Sequence, residues 1–185
     1  MNHQNQGDRM NDSRTELAGK VAWVHGAYGA VGLSIAQELV RAGAYVVLSG
    51  RNPEALQAAT RQAGTPDQAE ALALDLSQGQ AVYDAADELE ARLGRVDILV
   101  NSAGVNPSKR HFRDLSIADW KNTVDVNLSG MFYTCQATLK GMRARKDGVI
   151  VNISSWTGRY AAYFSGPAYA STKRATLALT EAINL

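Results

Sequence analysis

A serine, a tyrosine and a lysine late in the chain are the residues best suited to move a proton. In the stretch from Gly148 to Lys173, GVIVNISSWTGRYAAYFSGPAYASTK, the apolar run Val149-Ile150-Val151 ends in Asn152-Ile153-Ser154-Ser155, and a loop leads on to Tyr169 and Lys173. Residues four apart share one face of a helix, so this spacing sets an ammonium beside a phenol, and a neighbouring positive charge favours the phenolate form. Ser155, at the C-terminal end of a buried strand, could bring a hydroxyl to the same place, because ligands of open α/β sheets bind beyond the carboxyl ends of the strands. A Tyr-x-x-x-Lys pair alone also marks solvated helix faces. The strand, the serine pair and the loop ahead of it make proton transfer the better reading here.

These residues need a scaffold, and the rest of the chain spells one out. Residues 1–18 are polar and read as a disordered extension, leaving 19–185 as one domain. The run from Lys20 to His25 predicts a buried first strand. Gly26, Gly29 and Gly32 follow it, and then a helix over Leu33 to Ala42 that stops at Gly43. Strand, glycine turn and helix are the parts of a dinucleotide-binding unit: glycine lets the backbone approach a pyrophosphate, and the helix start offers free N–H groups. Val46 to Leu48 predicts a second strand, and Pro53 opens a second helix reaching about Gln62. A third strand is expected over Ala71–Leu74, followed by Asp75 and Leu76, with Ser77 capping a third helix that ends at Gly94. Ile98–Val100 is the fourth strand and leads into Asn101-Ser102-Ala103-Gly104.

Ser116, with Asp119 three residues on, predicts an N-cap resembling a capping box. It would open one unusually long helix from Ile117 to about Arg145, with Asn127 in its middle. The fifth strand spans Val149 to Ile153, and a last helix begins near Ala168. Alternating strands and helices predict an α/β fold, a Rossmann-like doubly wound parallel sheet of order 3-2-1-4-5.

Composition narrows the function classes. The 185 residues suffice for one domain with a core, and 45% hydrophobic with 20% charged residues is ordinary for a globular chain. A formal net charge of +1 gives no electrostatic case for nucleic acid or for a membrane surface. No apolar stretch approaches the ~20 residues of a membrane span, and no signal peptide opens the chain. The one cysteine, Cys135, excludes an internal disulfide and fits a reducing cytoplasm. The histidines His3, His25 and His111 lack metal-ligand spacing, so no metal is expected.

Taken in order, the glycine turn, Asp75, Asn101-Ser102-Ala103-Gly104, Asn127, Ser155, and Tyr169 with Lys173 resemble the short-chain dehydrogenase/reductase family, most closely its classical carbonyl-reducing type. The resemblance runs from Lys20 to the C-terminus. It implies an NAD(P)-dependent oxidoreductase moving a hydride between a nicotinamide cofactor and a secondary alcohol or ketone. Tyr169 would be the general acid/base, Lys173 would hold the nicotinamide ribose and lower the pKa of Tyr169, and Ser155 would donate a hydrogen bond to the substrate oxygen. Asn127 would anchor a water linking Lys173 to solvent. Cofactor contacts would come from Gly26, Tyr28, Gly29, Ala30, Val31 and Gly32, from Arg51, Asp75 and Leu76, from Asn101, Ala103 and Gly104, and from Tyr169 and Lys173. A homodimer or homotetramer is implied in the same way.

The sequence departs from the family pattern in three places. His25 stands where a threonine is usual, and Ala30 stands where a glycine is usual, with the extra glycine at Gly29. Alanine fits there only with φ below zero and room for the phosphate beside its methyl group. The resulting Gly26-x-x-Gly29-x-x-Gly32 spacing is that of extended members such as nucleotide-sugar epimerases and dehydratases, an alternative kept beside a non-catalytic dinucleotide-binding protein. Lastly, the chain ends inside the tyrosine helix, which reads as a fragment with an unprotected edge strand, expected to be poorly soluble or inactive alone.

Two further readings concern ligands. Gly50 occupies the position, about 20 residues past the glycine turn, where an acid would bind the ribose of NAD, and Arg51 follows it with a guanidinium suited to a 2′-phosphate. NADP (as NADPH) is therefore favoured, with NAD possible. Trp156, Tyr160, Tyr163 and Phe164 either wall an apolar pocket or pack onto the sheet or a neighbouring subunit. The substrate itself is not legible.

Overall fold

The computed structural model describes residues 16–160 and 162–184, so most of the predicted N-terminal extension lies outside the described residues. Five parallel strands form one sheet: β1 (Val21–His25), β2 (Tyr45–Gly50), β3 (Ala69–Ala73), β4 (Ile98–Asn101) and β5 (Val149–Asn152), in the order β3-β2-β1-β4-β5. The helices between them are α1 (Ala30–Arg41), α2 (Pro53–Ala63), α3 (Gly79–Leu93), α4 (Ile117–Val124), α5 (Gly130–Arg145) and α6 (Pro167–Ile183).

Strand β1 is central and buried along its whole length, and its alternation builds two cores. Ala22 and Val24 face one way, packing with Val46 and Leu48 against Ala36 and Val40 of α1 and Leu56 and Ala59 of α2. Trp23 and Val47 face the other way, against Val82 and Leu89 of α3 and Met131, Cys135 and Met142 of α5. A strand apolar on both faces must be covered on both, which is why the short β1 run ends up in the middle. Trp23 is fully buried, and its indole N–H donates to Ser49 Oγ at 2.7 Å. The two edges of the sheet are β3 and β5, and β5 leaves Val149 and Val151 exposed.

Three local expectations are corrected. Helix α3 starts at Gly79 with Gln78 at its N-cap, because Asp75 Oδ1 accepts from both the backbone N–H and the hydroxyl of Ser77 and holds that serine in a turn ahead of the helix. The long helix is divided: a π-helical turn over Asp125–Ser129 separates α4 from α5. Helix α1 begins three residues before Leu33, at Ala30. At α4, Ser116 Oγ accepts from the Asp119 N–H at 3.0 Å as an N-cap does, while its own hydroxyl donates to the Asp119 carboxylate at 2.8 Å. Asp, shorter than Glu, thus closes on the cap hydroxyl. Among the described residues no helix is long and apolar enough to cross a membrane.

Candidate active site

The glycine turn opens a cleft along the carboxyl ends of the strands. His25, Gly26, Tyr28 and Gly29 line it from β1 and the turn, Ser49, Gly50 and Arg51 from the end of β2, and Leu74, Asp75 and Leu76 from the end of β3. Ser102 to Val105, after β4, and Val126 close the far side. Gly26 has φ +68, and a Cβ there would stand 2.7 Å from the backbone of Ala103. At Gly32 a Cβ would lie 2.4 Å from the Gly26 carbonyl oxygen and 2.7 Å from Ser102 Oγ. Glycine at both positions lets β1, the turn and the segment after β4 meet closely, and Ser102 Oγ fastens them by donating to the His25 carbonyl at 2.5 Å.

Gly29 has φ −77 and serves as the N-cap of α1, and Ala30 is the first helical residue with φ below zero, so alanine meets the backbone condition. No side chain caps this helix and no acid lies in its first turn. Its free N–H groups and positive dipole end are therefore available to an anion. Val31 is exposed on that first turn, away from the cleft lining. Asp75 commits only Oδ1 to Ser77, leaving Oδ2 free of partners among the described residues. Arg51 is exposed at the mouth of the cleft, and the ring of Tyr28 rests on Gly50.

Lys173 and Tyr169 lie together on α6, and Lys173 reaches the Gly104 end of the cleft. Lys173 is 5% exposed on α6, its ammonium donates to the Ile153 carbonyl at 2.7 Å, and it lies 5.7 Å from the centroid of the Tyr169 ring. Burial pushes the Lys173 ammonium below its usual pKa. A Cβ on Gly104 would come within 3.5 Å of the same Nζ, so the lysine meets the end of the cleft there. Ser154 and Ser155 have different partners. Ser154 Oγ donates to the Lys173 carbonyl at 2.8 Å and ties the strand end to α6. Ser155 Oγ accepts from the Thr157 N–H at 3.3 Å and from its hydroxyl at 3.2 Å, which leaves the serine's own proton free to donate.

Asn127 sits in the π-helical turn, 3% exposed, with both its amide oxygen and its amide nitrogen hydrogen-bonded. Oδ1 accepts from the Val105 N–H at 2.7 Å, while Nδ2 donates to the Val105 carbonyl at 2.9 Å and reaches Thr172 Oγ1 at 3.3 Å. The amide thus clamps the segment after β4 to α6. Asn101 also points inward: it donates to Asn152 Oδ1 at 2.9 Å and accepts from the Thr134 hydroxyl at 2.8 Å, joining β4 to β5 and α5 beneath the cleft. Cys135 lies in this cluster with its thiol pushed by burial up to about 11.

Sequence reasoning assigned no cofactor contact to six of the cleft residues: His25, Ser49, Leu74, Ser102, Val105 and Val126. Ser102 lies within the Asn101-to-Gly104 stretch that the sequence singled out, and only the fold turns its hydroxyl towards Gly32; the others depend on how the strands and the π turn stack. Burial drives the His25 imidazole down to about 3, so it is neutral. Trp156, Tyr160, Tyr163 and Phe164 are all exposed, from 56% to 79%, rather than packed onto the sheet.

The profile of the family described as short chain dehydrogenase matches residues 20–185. Among curated relatives, the chain is 41% identical over 140 residues to a D-threitol dehydrogenase of Mycolicibacterium smegmatis, a match covering 75% of this chain and 54% of that protein. It is 36% identical over 168 residues to the oxidoreductase UcpA of Escherichia coli, covering 91% and 64%. A crystal structure of a metagenomic short-chain oxidoreductase in complex with NADP superposes with a TM-score of 0.85 at 36% identity, over 91% of this chain and 76% of that one. The chain thus spans between about half and three quarters of the length of these proteins. With the sheet order, the glycine turn and the Tyr169–Lys173 pair in place, the chain belongs to the short-chain dehydrogenase family.

Proposed function

We propose that this chain binds NADP and transfers a hydride between the nicotinamide and a secondary alcohol or ketone, with Tyr169 exchanging the proton. The observation that carries the reading is the buried Lys173 ammonium, held on the Ile153 carbonyl between the Tyr169 ring and the Gly104 end of the cleft. A cation is costly to bury without a task or a partner, and here one backbone oxygen is its only hydrogen-bond acceptor among the described residues.

The cleft residues fit a dinucleotide. The uncapped, acid-free start of α1 suits a pyrophosphate, Asp75 Oδ2 an adenine amino group, and Arg51 a 2′-phosphate. When bound, the nicotinamide supplies or accepts the hydride. Lys173 orients the ribose through its remaining N–H groups and places positive charge beside Tyr169, favouring the charge that oxygen acquires when its proton leaves. Tyr169 holds the proton at its phenolic oxygen and delivers it to the carbonyl oxygen in reduction, or takes it from the hydroxyl in oxidation. Ser155 donates to the same substrate oxygen as charge develops. Ser154, tied to the Lys173 carbonyl, keeps strand and helix in register. Asn127 fixes Val105 and so the wall against which the substrate end of the cleft is built.

NADP is preferred in this reading because Gly50 presents no carboxylate and Arg51 stands next to it; the structural neighbour was solved with NADP. Assembly into a dimer or tetramer belongs to the same proposal. Titrating the protein with NADP and NAD, and then following oxidation of the reduced cofactor over a panel of ketones, tests it. Ketone-dependent oxidation with tighter binding of NADP is expected. Dinucleotide binding without turnover on any ketone or alcohol would favour a binding protein, and isomerised sugar nucleotide without net cofactor consumption would favour an epimerase.

A further inference from the structure

Arg174 is exposed on α6, one residue past Lys173, and lies outside the lining of the cleft. Its terminal nitrogen Nη1 nevertheless has a defined place. It donates to the Arg159 carbonyl at 2.8 Å and to the Gly158 carbonyl at 3.3 Å. Those oxygens close the short 3₁₀ turn over Trp156–Gly158 that follows Ser155. The last carbonyls of a helical turn lack partners within it and carry its negative dipole end, so a cation there satisfies both needs. Among the described residues nothing else donates to either oxygen.

The same turn holds Ser155. The serine's carbonyl accepts from the Gly158 N–H at 2.9 Å, and its Oγ accepts from the N–H and the hydroxyl of the buried Thr157. Where the turn sits therefore decides where the free proton of Ser155 points. Two anchors seat it on α6: Ser154 Oγ on the Lys173 carbonyl at its start, and Arg174 at its end. Between them, a Cβ on Gly158 would stand 2.7 Å from the Lys173 carbonyl oxygen and 2.8 Å from Ser154 Oγ. Consecutive residues of the helix that carries Tyr169 thus grip both ends of the turn that begins at Ser155.

We infer that Arg174 is a positioning residue for hydride transfer, which holds this turn against α6 and through it aims the Ser155 hydroxyl at the substrate oxygen. The inference rests on the reading above in which Ser155 donates to that oxygen. Arg174 itself touches neither substrate nor cofactor. Its neighbour Lys173 faces the cleft, while a helix turns the next side chain by about 100°, which brings the guanidinium over the outer side of the turn.

A double-mutant cycle separates this role from a merely structural one. Arg174→Met keeps the aliphatic stem and should slow single-turnover hydride transfer about ten-fold, the worth of one charged hydrogen bond. Cofactor affinity should stay within about two-fold of the wild type. Ser155→Ala alone should cost about 100-fold, the scale of a lost donor to developing charge. In that background Arg174→Met should cost less than about two-fold, because no hydroxyl remains to be aimed. Arg174→Lys, whose ammonium can reach the same carbonyls, should recover part of the rate. Amide hydrogen exchange over residues 155–160 should quicken in Arg174→Met while α6 keeps its protection. Should the methionine variant fail to fold, Arg174→Lys takes its place in the cycle with a smaller loss, again confined to the background that retains Ser155. A full rate, an equal loss in both backgrounds, or unchanged exchange of the turn overturns the inference alone. Ser155→Ala that transfers hydride like the wild type overturns the reading of Ser155, and the inference with it.

Discussion

Cofactor choice is the property on which the structure changes the arithmetic most. Replacing Gly50 by Asp and Arg51 by Ile adds a carboxylate and removes a guanidinium where a 2′-phosphate would sit. Two unit charges about 5 Å apart in a half-exposed cleft repel by about 1.5 kcal/mol at a dielectric intermediate between protein and water. A phosphate monoester near −2 doubles that to about 3 kcal/mol, roughly 100-fold against NADP. Losing the charged hydrogen bond from Arg51 costs about 1.5 kcal/mol more, roughly another ten-fold. The gain for NAD does not follow automatically. A Cβ on Gly50 would stand 2.3 Å from Tyr28 Cε1 and 2.8 Å from Cδ1, against about 3.5 Å for an ordinary carbon contact. The new carboxylate therefore collides with a ring that walls the cleft, and it reaches the ribose hydroxyls only once that ring is displaced. The double variant should lose NADP about 1,000-fold while gaining little for NAD, and adding Tyr28→Ala should release the NAD gain of about ten-fold. Dissociation constants for 2′,5′-ADP and ADP, with kcat/KM for both cofactors, measure this. A double variant that gains NAD fully would show Tyr28 to be irrelevant, and one whose NADP preference is unmoved would remove Arg51 from the phosphate site.

The glycine turn yields a graded series. Gly32→Ala and Gly26→Ala should abolish dinucleotide binding or folding, whereas Gly29→Ala, whose Cβ would come no closer than 3.3 Å to the Gly26 carbonyl, should cost less than about 1 kcal/mol by urea unfolding; equal damage at all three would contradict the packing argument. Asn127→Ala leaves the N–H and carbonyl of Val105 without their partner and should lower stability by about 2 kcal/mol; an unchanged urea midpoint would show that the amide is no clamp. Lys173 has its pKa lowered by burial, so the unfolded chain holds its proton to higher pH than the native one does. The native state bears the cost of the buried charge at neutral pH and is relieved of it as pH rises through the folded pKa towards the unfolded value near 10.5. Unfolding in urea at several pH values should therefore show the wild type gaining on Lys173→Met as pH rises, and a constant gap would refute that.

Much of this fold was legible because strong local signals agreed with one another. Short β-rich runs alternated with amphipathic helices, and Pro53, Gly43 and Gly94 marked element ends where the structure has them. The strand order followed from topology rules acting on that alternation. What escaped was set by side chains meeting across the sequence. Ser77 looked like a cap until Asp75 took its hydroxyl and N–H. The π turn at Asn127 is announced only by the Ser129-Gly130 pair at its end, and the partner of Asn127, Val105, lies 22 residues earlier. Tyr169, Lys173 and Ser155 could be singled out from the four-residue spacing taken with the strand and serine pair ahead of it, but the different partners of Ser154 and Ser155 needed the loop folded back on α6. His25 stood out only as a departure from the usual threonine, because its orphaned nitrogens exist only once β2 and β4 close around it.

The central claim is that Tyr169 moves the proton while the cleft holds the cofactor, and these two functions separate in Tyr169→Phe. Single-turnover oxidation of the reduced cofactor by a ketone that the wild type accepts, measured beside the dissociation constant for that cofactor, tests it most directly. The account predicts an affinity within about two-fold of the wild type and a hydride-transfer rate lower by about 1,000-fold, the scale of a lost general acid. A variant that transfers hydride at near wild-type rate would contradict it.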